Sequence, residues 1–537
     1  MRFISILGLI ALLGVAWLMS SHKSKIRPRI IIWGVGLQLL FALIILSQNI
    51  MSFIGMYIFL CMMLIYLFSD KFVGSNETQA KVLVFGGVGV AAATVIAITI
   101  FLDGHGLAIY FAIAAVAVIL FGIYKKDVWL RRYAIAALLS SVLGIIFARE
   151  LYGQMIMQAI STEVARFLQL TDLGTAFLFD KLAKEQYMSQ FGFQFAFRVL
   201  PTIIFFAAFM SILYYYGVIQ TIVSTMAKFM RWTIGTSGAE TLSCSANVFV
   251  GQTEAPLLIK PYLDDMTISE LATIMVGGFA TIAGGVLAGY IQMGVNAGHL
   301  IAASVMSAPA ALVVGKIIFP ETEHSKTAGD VNVPEVEKAG NLLEAASNGI
   351  SDGLKLAVNV AAMLVGFIAL IGLVDRYIFS MLDYLIDGQL LGGELVEVAA
   401  SPFSPVTSQY LGIFPGSLKL LFGNVLRYLA FLMGTPWADS MAVGNLLGLK
   451  LAVNEFVAYS ALGTEIAQNT ISERGQIIAT YALCGFANFA SIGIQIGGIG
   501  AIAPHRRGDL AKVALKAMFG GAIASWMTAT IAGMILT

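Results

Sequence analysis

Residues 30–69 contain no Asp, Glu, Lys or Arg, and similar uncharged runs recur along the whole chain. A helix needs ~20 apolar residues to cross ~30 Å of hydrocarbon, and it pairs its own backbone N–H and C=O groups on the way. The pattern therefore predicts an all-α polytopic membrane protein. Composition agrees: 58% of the 537 residues are hydrophobic and 12% are charged, against about 25% charged in ordinary globular chains. Lys+Arg 32 against Asp+Glu 31 leaves no basic excess, and there is no P-loop, so neither nucleic acid nor ATP is implied as a partner. Cys61, Cys244 and Cys484 all lie in apolar segments, where a thiol behaves as a small buried hydrophobe and no disulfide framework is readable. The run 3–19 follows Arg2 without a small-x-small cleavage site, so it is expected to be a retained first span.

Spans are expected at 3–19, twice within 30–69, and at 82–102, 107–124, 133–148 and 194–218. Others are expected twice within 271–315, broken near Asn296-Ala297-Gly298-His299, and at 354–374, 476–500 and 513–535. Between 148 and about 190 the sequence is amphipathic and more polar, which suits a helix lying at the interface. The basic clusters Lys23, Lys25, Arg27 and Arg29, then Lys125, Lys126, Arg131 and Arg132, then Arg506-Arg507 should all be cytoplasmic. They fall on one side if there are twelve crossings and if 228–262 and about 417–462 dip in and return. Both termini then lie outside. Residues 321–345 form a polar cytoplasmic linker between a first half, 191–320, and a second half, 346–537.

The stretch 247–261, NVFVGQTEAPLLIKP, sets a carboxylate, Glu254, between long apolar runs. An ionised side chain at a span centre costs about 2.5–3.5 kcal/mol, and irregular backbone persists at that depth only beside protein or a water-filled cavity. Such a segment marks a substrate or ion pathway. A second carboxylate, Glu455, occurs in Asn454-Glu455-Phe456. Each is followed by a span interior of the form G-F-A-x-x-A, at Gly278–Ala283 and Gly485–Ala490. A hairpin followed by a broken span thus occurs twice, from opposite faces. This predicts inverted repeats, two re-entrant hairpins and a substrate near the midplane where the breaks meet.

Bland readings compete at each position. Glu254 and Glu455 could each neutralise a buried cation, with Lys260 the obvious partner of Glu254. Gln252, Thr253, Asn488 and Ser491 could simply knit helices together, for about 0.6 kcal/mol each. Clustering beside the two carboxylates favours a ligand. Phe486 lies inside a break and suits a planar ring. Glu240 reads as a solvated end at the hairpin entrance, and His299 and His505 as loop residues. Carboxylates suit vicinal hydroxyls, and amides and hydroxyls suit a heterocycle edge. The absence of arginine from both hairpin tips disfavours phosphate or carboxylate substrates.

At these residues the chain resembles the concentrative nucleoside transporter family. The matching stretches include FAFRVLPTIIFF (195–206), SILYYYGVIQ (211–220), ANVFVGQTEAPLLIKPYL (246–263), GGFATIAGGVLAGY (277–290), AAMLVGFIALI (361–371), LAVNEFVAYSALG (451–463), YALCGFANFASI (481–492) and APHRRGDLA (503–511). The resemblance covers about 170 to the end, with a weaker fit of the first two spans. It leaves about 50–150 as extra spans within an N-terminal scaffold region, 1–190. It implies a homotrimer whose transport domain, built on the two hairpins, moves as an elevator. It implies that Gln252, Thr253 and Glu254 contact the nucleobase side of the ligand. Glu455, Asn488 and Ser491 would contact the ribose, with Phe486 near the base and Val286 lining the pocket. It also implies a sodium site from the Asn247 and Thr281 side chains with the backbone carbonyls of Val250 and Ile282.

The expected function is import of nucleosides by sodium symport across the inner or plasma membrane. Proton coupling through Glu254 or Glu455 is the nearest alternative. A channel would show a continuous polar stripe on one helix, whereas the polar residues cluster in two breaks. An enzyme would need a nucleophile with its base, or a metal pair, and five histidines without such spacing offer neither.

Overall fold

The computed structural model describes residues 1–68, 128–184, 187, 194–327, 339–387 and 416–536. The spans expected at 82–102 and 107–124, with Lys125 and Lys126, lie outside the described residues. Among the described residues all regular structure is helical, as the apolar runs predict. The helices are α1 Arg2–Leu18, α2 Pro28–Leu46, α3 Ile50–Leu67, α4 Val128–Ala148, α5 Gly153–Gln169, α6 Thr171–Phe179, α7 Phe195–Tyr215, α8 Val218–Ile234 and α9 Gly238–Ala246. A 3-10 helix, Ala255–Asp265, precedes α10 Ile268–Ala280, α11 Gly284–Gln292, α12 Ala297–Ile318 and α13 Leu342–Leu373. There follow α14 Ser380–Asp387, α15 Leu418–Leu432, α16 Ser440–Ala452, α17 Glu455–Ala467, α18 Glu473–Leu483, α19 Phe489–Ile502 and α20 Arg507–Ile535.

Two compact units are present, Leu39–Ala159 and the remainder. In the smaller unit Met56, Leu60 and Leu64 repeat every fourth residue along α3 and pack against Leu143 of α4, the stripe expected of a helix with one buried face. Ser52 fixes its corner, donating to Ile44 O and accepting from Gly153 N, both at 2.9 Å. Helix α5 is amphipathic.

The larger unit contains the hairpins. Helices α7 and α13 pack along one another, while Leu354, Val358, Val365 and Leu370 of α13 stay exposed. A row of exposed apolar residues like this suits lipid or a protein partner rather than water. By contrast α10, α12 and the part of α20 from Ala517 onward are buried almost throughout, and α20 packs against α1, α10, α12, α18 and α19. Small residues let it approach so closely: a Cβ on Gly521 would stand 2.3 Å from Phe279 Cβ, so helix contact here depends on a missing side chain. Seven described helical stretches, with α10 and α11 together counted as one, are long and apolar enough to cross a membrane.

Among the residues that differ from their expected settings are Glu240 and His299. Glu240, expected as a solvated end, is 1% exposed and pairs with Lys316 at 2.8 Å. The sequence separation between them hid the partner. His299, expected in a loop, sits in the first turn of α12 because Asn296 caps that helix, accepting from His299 N at 3.2 Å.

Candidate functional site

The first hairpin begins with a capping box. Ser237 accepts from Glu240 N while Glu240 Oε1 accepts from Ser237 N at 2.8 Å, which satisfies the orphan donors at the start of α9. Thr267 and Glu270 do the same for α10. Between α9 and the 3-10 helix, residues 247–254 turn the chain without regular structure. Pro256 and Pro261 lie in the return arm, where missing N–H groups prevent a regular α-helix.

Each half then contains an interrupted helix. Helix α10 stops at Ala280 and α11 begins at Gly284, with Thr281 and Ala283 extended between them. Helix α18 stops at Leu483 and α19 begins after Asn488, which caps it through Ser491 N at 2.8 Å. Gly485 has φ +143, and a Cβ there would meet Phe279 O at 2.6 Å. Only glycine fits both the torsion and the space. The interruptions touch, since Phe486 N donates to Thr281 O at 3.2 Å.

Into this junction the sequence places its polar side chains. Glu455 is 5% exposed; its Oε1 accepts from Tyr290 OH at 3.2 Å and its Oε2 from Asn488 Nδ2 at 3.3 Å. Tyr290 is held in turn by stacking on Tyr459, with ring centroids 4.3 Å apart. Gln252 donates to Ser491 Oγ at 3.4 Å, so the first hairpin meets the helix that leaves the second break. Val286 is buried at the start of α11, Phe486 is half-buried, and Thr253 packs where Gly498 leaves room. Glu254 stands apart: it is exposed, and its carboxylate folds over Gly251. Lys260 is likewise exposed.

Asn247 and Thr281 are both 1% exposed. Thr281 donates to Gly277 O at 3.0 Å, while Asn247 Oδ1 is buried with no hydrogen-bond partner. A stranded neutral oxygen costs about 1–3 kcal/mol, and it suits a hard cation. The other expected sodium ligands are buried too, Val250 three residues after Asn247 in the turn and Ile282 next to Thr281 in the break.

Three participants escaped sequence reasoning. Tyr290 was hidden in an apolar helix. Lys450, fully buried, donates to Ala482 O at 3.0 Å in the last turn before the second break, an ammonium at a helix C-terminus. Gln495, 0% exposed, donates to Gln252 Oε1 at 3.0 Å. Its i+4 spacing from Ser491 was the available signal.

Comparison with known proteins bears on the fold and the family. Residues 299–533 match the family described as Na+ dependent nucleoside transporter C-terminus, residues 7–58 its N-terminus, and residues 196–297 the family described as nucleoside recognition. Sodium/nucleoside cotransporter 1 of Rattus norvegicus is 42% identical over 412 residues, which cover 74% of this chain and 58% of that protein. An uncharacterised transporter of Haemophilus influenzae is 41% identical over 388 residues, covering 72% of this chain and 86% of that protein. The chain thus spans about 58% of the length of the first of these curated relatives. Among solved structures, CNTnw in an inward-facing substrate-bound state is 29% identical, with a TM-score of 0.69 over 100% of this chain and 98% of that one. A CNTnw variant in an outward-facing state has the same TM-score at 28% identity, over 99% and 97%. The fold is accordingly that of an elevator-type carrier with two hairpins and broken helices, and the chain belongs to the family of sodium-dependent, concentrative nucleoside transporters.

Proposed function

We propose that the protein imports nucleosides by sodium symport, with the substrate held where the two hairpins and the two interrupted helices converge. The observation that carries this reading is the setting of Glu455. A buried carboxylate, oriented by Tyr290 and Asn488 and adjoined by an amide–hydroxyl pair, offers ribose hydroxyls two strong acceptors and a base edge several neutral donors. In this reading Asn488 and Ser491 join Glu455 at the ribose. Gln252, Thr253 and Glu254 face the base, with Phe486 and Val286 against its ring. Glu254 reaches the base from its exposed position once a ligand lies beneath the hairpin tip.

Sodium is held by the stranded Asn247 oxygen and the Thr281 hydroxyl, together with carbonyls of Val250 and Ile282 that the breaks release from helical pairing. Similarity to proteins named sodium/nucleoside cotransporters supports the same ion and cargo. The apolar sides of α7 and α13 serve a homotrimer in the cell's inner or plasma membrane, with both termini outside. Uptake of radiolabelled uridine and adenosine into proteoliposomes, driven by a sodium or a proton gradient, tests the whole. Uptake under the sodium gradient alone is expected, and uptake under the proton gradient alone would replace sodium with protons.

A further inference from the structure

Gln495 lies one turn beyond Ser491 on α19, so both side chains leave the helix on one face. Its amide nitrogen donates to two oxygens, Gln252 Oε1 at 3.0 Å and Met275 O at 3.2 Å. A carboxamide can normally be turned end for end, but a backbone carbonyl only accepts. Met275 O therefore fixes Gln495 with its NH2 inward. Gln252 Oε1, facing the same nitrogen, must accept as well. The Gln252 nitrogen is then turned the other way, to Ser491 Oγ at 3.4 Å.

The space for this chain of amides is made by Gly278. A Cβ there would stand 2.7 Å from Gln495 Nε2 and 3.0 Å from Gln252 Cβ. The arrangement also carries a cost, because Gln495 Oε1 is buried without a hydrogen-bond partner. An arrangement serving packing alone would be served as well by an apolar side chain of similar size, without that cost. From these contacts we infer that Gln495 is a specificity-positioning residue, which locks Gln252 so that it presents N–H donors, and not its carbonyl, to the substrate. The protein thereby favours nucleobases with an acceptor at the edge Gln252 meets over those with an exocyclic amine there. This inference rests on the proposed nucleoside function and assigns the origin of its base selectivity.

The test measures KM and Vmax in proteoliposomes for two pairs that exchange a carbonyl for an amine, uridine with cytidine and inosine with adenosine. In the unsubstituted protein the carbonyl member, uridine or inosine, has the lower KM within at least one pair, so the KM ratio there departs from one. Gln495→Met brings that ratio toward one by about fivefold, roughly what one reassigned hydrogen bond is worth, with Vmax and half-saturating sodium unchanged. Gln495→Asn, too short to reach both oxygens, does the same and serves if the Met variant fails to fold. In a Gln252→Met background Gln495→Met changes the ratio no further. Proportional KM losses for all four nucleosides, an equal ratio shift in the Gln252→Met background, or a parent protein that favours the carbonyl member of neither pair would overturn the inference while leaving nucleoside transport intact. No uptake of any nucleoside by the parent protein would instead overturn the proposed function, and this inference with it.

Discussion

Phe486 donates its backbone N–H to the Thr281 carbonyl at 3.2 Å, and that bond joins the two helix interruptions on which the proposed site is built. It links residues more than two hundred positions apart in sequence. It also takes up one of the carbonyls left free where α10 stops. The close approach depends on Gly485, whose torsion and surroundings admit no side chain. Gly485→Ala should lower the thermal midpoint of the detergent-solubilised protein, since a non-glycine residue in such a conformation costs about 1–3 kcal/mol. It should abolish uptake at temperatures where the protein remains folded. Wild-type uptake by a stably folded Gly485→Ala variant would show that the breaks need not meet this closely.

The Glu455 carboxylate is held by Tyr290 and Asn488. Glu455→Gln should nearly abolish uptake while the protein stays folded, because an amide cannot supply the charge-assisted bonds to ribose hydroxyls. Tyr290→Phe should be milder. It removes one donor to a charged group, worth about 1.5–3 kcal/mol, and keeps the ring stacked on Tyr459, so KM should rise more than Vmax falls. Unaltered nucleoside affinity in Glu455→Gln, measured by calorimetry on purified protein, would remove this residue from the site.

At the other end of the first hairpin, Lys316 lies between Glu240, Glu321 and Ser269 at 2.8, 3.3 and 2.8 Å. Lys316 and Glu240 are 5% and 1% exposed. Removing one member of such a pair costs about 3–5 kcal/mol, whereas replacing both is often nearly neutral. Lys316→Met should therefore destabilise the protein strongly, and the Lys316→Met/Glu240→Gln double variant should recover much of the loss. Equal destabilisation of the single and double variants would show that the pair does not compensate itself.

The apolar runs, the two hairpins and the two breaks were all legible in the sequence, because hydrocarbon penalises charge and irregular backbone so heavily that each exception stands out. Glu455, Asn488 and Ser491 could be picked out for the same reason. What escaped were the partners. Tyr290 looks like one more aromatic in an apolar helix until the fold brings it to Glu455. Lys316 reads as the end of a span, and Glu240 as a solvated residue, until α9 and α12 are placed side by side. Gln495 carries no local signal beyond its spacing from Ser491. Pairings between distant segments are set by tertiary packing, which single-sequence periodicity does not encode.

The last prediction concerns the coupling ion. Asn247 Oδ1 is a stranded acceptor where the turn of the first hairpin begins, and neither Asn247 nor Thr281 can titrate in the physiological range. If sodium occupies this place, it and the nucleoside bind to the same folded junction, and each must tighten the other by the same factor. Asn247→Leu removes the oxygen while roughly keeping the volume. It should raise the sodium concentration for half-maximal uptake by at least about tenfold, the effect of ~1.4 kcal/mol, with little change in thermal midpoint measured without sodium. It should also abolish the gain in nucleoside affinity that sodium gives the parent protein in calorimetry. A variant that keeps that gain would exclude Asn247 as a ligand. Full uptake by the parent protein in sodium-free choline medium under a pH gradient would reject sodium coupling altogether.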